Sequence, residues 1–116
     1  MQIPKEQRSA IGEAVVKLER EFYGRGPSAV RVSVATGDLS VITVLSVDSL
    51  SAMDRTLAER GKVDAVVAHH QSLHDATAVD FCTAVGALVG DEPDAYLSQV
   101  DPATGYAVRV FVFTSE

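Results

Sequence analysis

The stretch "HHQSLHD", residues 69 to 75, holds the densest group of side chains able to bind a metal or move a proton. His70 and His74 are four apart, so on a helix their rings share a face, as zinc-binding pairs do. A metalloprotease helix would carry glutamate inside that spacing, whereas Gln71, Ser72 and Leu73 stand there. No third ligand is marked, because Asp75 and Asp80 fall on other faces. His70 and His74 are therefore weak metal candidates, and no metal or other cofactor is expected. His70 also lies on an apolar stripe, where a hydrogen-bonded core histidine is the plainer reading. Cys82 sits mid-helix beside Phe81 and reads as a small core residue rather than an activated thiolate. No Gly-x-Ser-x-Gly elbow occurs, and Asp91-Glu92 read as solvated turn residues. The sequence points away from an enzyme.

A second candidate is the corner Gly24-Arg25-Gly26-Pro27. Anions favour helix N-termini, where free N–H groups and the positive dipole end point outward. This corner follows a helix C-terminus, and its spacing fits neither a P-loop nor a dinucleotide fingerprint. The structural reading gives Gly24 the left-handed position after the helix and lets Pro27 fix the start of a strand. Arg25 would then bond the last carbonyls or a nearby carboxylate. The functional reading makes Arg25 a binding or dimer-organising residue. Arg31 and Arg109 project from strands; placed on one sheet face, they would hold a carboxylate, phosphate or bicarbonate. Cross-strand pairing with acids is the plainer account of both.

These residues need elements to position them. Ile11, Val15, Leu18 and Phe22 recur at helical spacing until Gly24, which predicts one amphipathic helix. "AVRVSVA" alternates as a half-buried strand, and "LSVITVL" returns after Thr36-Gly37-Asp38, making an antiparallel hairpin. Asp48 or Ser49 is placed to cap a helix with a stripe of Leu50, Met53 and Leu57. A long helix follows from about Val63 to Val89, its buried face expected to run through Val63, Val66/Val67, His70, Leu73/His74, Thr77, Phe81, Val85 and Leu88, and Gly90 and Pro93 end it. "AYLSQV" and "YAVRVFVF" close the chain as a second hairpin around Asp101-Pro102-Ala103-Thr104-Gly105. The order α-β-β-α-α-β-β predicts an α+β fold: two antiparallel hairpins in one sheet, with helices on one face. The last strand puts Val108, Val110 and Val112 on one side and Arg109, Phe111 and Phe113 on the other. The second set, with Arg31, is expected on the uncovered face, and exposed aromatics in a row predict a homodimer.

The whole chain sets further bounds. Its 116 residues suit a single domain over 1–116. Sixteen acids against ten bases give a net charge of -6. With no basic run, that argues against nucleic acid and against docking on an anionic leaflet. One cysteine excludes an internal disulfide and fits a reducing cytoplasm. No signal-peptide pattern is visible, and no apolar run approaches the roughly 20 residues that span a bilayer. Direct membrane insertion is not expected.

The pattern as a whole resembles the MpsC-like family of small bacterial and archaeal proteins, described as a component of a sodium-translocating, membrane-potential-generating system. The resemblance rests on "FYGRGP" at 22 to 27 followed by "AVRV", "MDRTLAERG" at 53 to 61, "LHDATAVDF" at 73 to 81 and "AYLSQVDPATGYAVRVFVF" at 95 to 113. The chain departs from the family pattern at Leu45-Ser46-Val47-Asp48, at Asp54 where a glutamate is usual, and at His70 where an arginine is expected. Arg25 and Asp101 are retained. The resemblance implies a non-catalytic cytoplasmic accessory protein with a membrane-protein partner in a cation- or inorganic-carbon-translocating system. It raises the weight of Arg25 within Gly24, Arg25, Gly26 and Pro27 as a binding or dimer-organising residue; with the retained Asp101, and with Arg31 and Arg109 from the strand pattern, these are the candidate binding residues. The alternative is a stand-alone homodimeric sensor of a small anion or nucleotide.

Overall fold

A computed structural model describes residues 3–114. The elements run α1 (Lys5–Tyr23), β1 (Ala29–Ala35), β2 (Leu39–Val47), α2 (Ala52–Glu59), α3 (Val63–Val89), β3 (Ala95–Val100) and β4 (Ala107–Thr114). The fold is α+β, as expected. Two hairpins join through β2 and β4 into a four-stranded antiparallel sheet of order β1-β2-β4-β3.

Glycines end both long helices as the sequence indicates. Gly24 and Gly90 take left-handed backbones with φ of 75° and 79°, conformations that cost an L side chain strain. Ser51 caps α2 by accepting from the Asp54 N–H, rather than Asp48 or Ser49. The helix consequently starts later than the Leu50 stripe implied. Leu50 is buried ahead of it, Met53 is 70% exposed, and the residue that α2 buries is Asp54.

The helices cover one sheet face. Ile11 and Val15 of α1 and Phe81 and Val85 of α3 meet Ile42, Val44, Phe111 and Phe113 in the main core. The expected facing of β4 is overturned: Arg109, Phe111 and Phe113 are buried beneath the helices. Burying a phenylalanine removes more apolar area from water than burying a valine, so the sheet turns its two aromatics inward. Arg31 stays on the uncovered face, opposite Leu45 in register. Arg31 and Arg109 therefore lie on opposite faces and do not form one anion site. The row of exposed aromatics behind the expected homodimer does not exist.

Candidate functional site

The inward turn of β4 brings Arg109 into the centre of a buried polar cluster. Its Nε donates to Glu19 Oε1 at 2.9 Å, and its Nη1 donates to the Tyr96 hydroxyl at 2.7 Å. Glu19 reaches the core because it continues the stripe of Ile11 and Val15 one turn further along α1. Ser46 of β2 donates to the same Glu19 oxygen at 2.8 Å. The guanidinium lies over the rings of Tyr23 and Phe81, with its carbon 4.6 and 4.3 Å from their centroids. Tyr96 stacks between His74 and Phe111. Burial opposes the charge of Arg109, but Tyr96, Glu19 and Tyr23 outweigh it, so the guanidinium holds its proton more firmly than usual. Burial pushes the Tyr96 phenol up to about 12 despite Arg109, so Tyr96 stays protonated at neutral pH.

A second cluster adjoins the first. Asp54, almost wholly buried, accepts from His70 Nε2 at 2.8 Å, and His69 Nδ1 lies 3.3 Å away. Burial opposes ionisation of Asp54. The hydrogen bond and charge of His70, with further bonds from His69 and Ser51, prevail and hold the carboxyl below its ordinary value of 3.8. The His70 ring packs 5.3 Å from the Tyr23 ring, which continues to Arg109. Asp54 and His70 are thus each other's partners. His74 turns elsewhere, its Nδ1 2.5 Å from Ser98 Oγ. The two histidines do not converge, and among the described residues no group of three His, Cys, Asp or Glu side chains is placed to hold a metal ion. A cavity of about 30 Å³, room for one or two waters, opens beside Tyr23, His70, Ser98 and Arg109.

The Gly24–Pro27 corner stands at a third cluster. Arg25 bonds the carboxylate of Asp48 and, from Nε at 3.0 Å, its carbonyl oxygen. Arg55 pairs with the other Asp48 oxygen at 2.9 Å. Asp48 has φ 60°, a left-handed backbone that the two arginines fasten. The Arg20 guanidinium occupies the space where a side chain on Gly26 would project. Asp101 folds its own turn, accepting from the Thr104 hydroxyl at 2.8 Å and from the Ala103 N–H. Gly105 of that turn accepts from the Ser49 N–H at 2.8 Å. The corner, Asp48 and the Asp101 turn therefore meet at one end of the sheet. Cys82 is half-buried, and burial, with Glu92 nearby, pushes its thiol up.

Glu19, Ser46, Tyr23, Tyr96 and Asp54 are site residues that the sequence reading passed over. One signal was available: Glu19 and Ser46 stand at core positions of a helix stripe and an alternating strand, where a polar residue needs a buried partner.

No curated protein and no solved structure matches the chain. The family model described as "Na+-translocating membrane potential-generating system (MpsC)" matches residues 4–115. With essentially its whole length covered, the chain belongs to the MpsC family.

Proposed function

We propose that the protein is a non-catalytic, cytoplasmic accessory component of a cation- or inorganic-carbon-translocating membrane system, and that it works by binding another protein. The observation that carries this reading is the internal pairing of its buried polar groups. Arg109 pairs with Glu19 and Tyr96, and His70 with Asp54, and the cavity that Arg109 and His70 line has room for one or two waters, which suits a scaffold better than a substrate site. The family match supplies the system. Among the described residues no helix is long and apolar enough to cross a membrane, so the association proposed runs through protein surface. The test is removal of the protein from its source cells, with the membrane potential read by a voltage-sensitive dye at fixed sodium. A lowered potential, restored by the wild-type protein, is the expected result. An unchanged potential would sink the reading.

The second reading is a homodimeric sensor of a small anion or nucleotide. It draws on the uncovered sheet face and on Arg25, whose side chain is 36% exposed at the corner. Bicarbonate, phosphate and nucleotides would then raise the melting temperature of the isolated protein, and Arg25→Ala would remove that rise.

A further inference from the structure

An acidic chain conceals a local concentration of its cations. Lys5, Arg8, Lys17 and Arg20, four of the ten lysines and arginines, line one groove of about 680 Å³ between α1 and β1. They stand in two i, i+3 pairs, Lys5 and Arg8 in the first turn of α1 and Lys17 and Arg20 near its last. None forms an ion pair with an acid among the described residues. Glu13 is the one acid of the lining, so the groove carries +3, which leaves -9 on the rest of a chain whose net charge is -6.

Between the cations lies an apolar floor of Val16, Val30 and Val32. Gly12 sets its depth, because a Cβ there would stand 3.2 Å from Val30 Cγ2 and 3.3 Å from Val32 Cγ2. The helix presses directly onto the strand at this point. Among the described residues β1 pairs only with β2, which leaves its other edge open to an added strand.

We propose that this groove docks an acidic peptide segment of a partner protein, its carboxylates meeting the four cations and its apolar side chains resting on the valines. Charge complementarity selects the occupant. A flat anionic membrane would also face acids outside the groove, in a chain whose net charge is -6, and its headgroups would not reach the valine floor. A narrow segment meets the groove alone. The inference stands on the groove and is independent of the family role.

The probe is a short blocked peptide of glutamates interrupted by leucines, titrated into the labelled protein and followed by amide chemical shifts and fluorescence anisotropy. Saturable shifts confined to α1 and to Val30–Val32 are expected, weakening as salt rises through about 0.1 M. The double variant Arg8→Glu/Lys17→Glu, the first half-buried with its Nη1 donating to the Ile3 carbonyl oxygen and the second exposed, is expected to weaken binding at least about tenfold while circular dichroism stays unchanged. The milder Arg8→Gln/Lys17→Gln provides the same reading should charge reversal disturb the helix. No saturable binding, undiminished binding by the variants, or shifts elsewhere on the surface would overturn the proposal. So would binding to phosphatidylserine vesicles without binding to the peptide, which would assign the groove to a membrane.

Discussion

Arg109 is charged, buried to 3% exposure, and shares one pocket with Glu19, Tyr96 and Tyr23. Desolvating both ions offsets much of their attraction, so the pair contributes less to stability than its geometry suggests. Removing one partner is another matter, because the other charge is then stranded. Glu19→Leu or Arg109→Leu alone should cost about 3–5 kcal/mol in urea unfolding, and the double replacement distinctly less than the two together. Additive losses would mean that the pair is not coupled. Asp54 makes a different prediction. Its carboxyl is held below 3.8 in the folded state, so its stabilising contribution is present above that value and lost as pH falls through the folded one. Unfolding midpoints of wild type and Asp54→Asn should differ clearly at about pH 6 and converge towards about pH 2. A gap independent of pH would show that shape rather than charge matters there.

Among the elements, two glycines stand where a neighbour approaches closely. A Cβ on Gly86 would stand 2.7 Å from the Asp91 carbonyl oxygen, which belongs to the turn closing α3. On Gly26 it would stand 2.9 Å from Arg20 Nε, the far end of a flexible side chain. Gly86→Ala should therefore cost about 1–3 kcal/mol as the turn is displaced, while Gly26→Ala should cost well under that as Arg20 swings away. Equal thermal midpoints for the two would refute this account. The boundaries of α3 and both hairpins were legible because Gly90, Pro93, Gly37 and Gly105 punctuate strong periodic patterns. Which side of β4 faces the helices was not, since alternation defines two faces without saying which is covered. Phe111 and Phe113 favour the inward choice, but Arg109, two residues before Phe111 on the same side of the strand, argues outward unless it has a buried partner. That partner, Glu19, is 90 residues away, beyond any local pattern. The basic groove was hidden likewise, because cations spaced along a helix face form no run in the sequence.

At the scale of the molecule, the helices leave one sheet face bare. It presents Val41, Leu45, Val108, Val110, Val112 and Leu97, and of its charged residues only Arg31, on the edge strand. All the acids lie elsewhere, so like-charge repulsion across this face is small despite the net charge of -6. A homodimer across it would accordingly rest on aliphatic side chains, not on the aromatics first expected. Its size bounds its strength. Four strands at about 4.8 Å spacing and seven residues at about 3.4 Å give roughly 450 Å² per copy. Twice that falls below the roughly 1,200–2,000 Å² of stable interfaces, so the dimer should be weak and dependent on concentration. Sedimentation equilibrium should show a reversible monomer–dimer transition, abolished by Val110→Lys at the centre of the face and retained in Arg31→Ala at its rim. Since Val110 stands opposite Thr43 and Leu97 on the uncovered side, the lysine can extend into solvent and leave the monomer folded. A Val110→Lys protein that associates like wild type would move the interface to another surface. If association vanishes, the same face becomes available in the monomer to a partner protein, and competition between the two would make the accessory role depend on concentration.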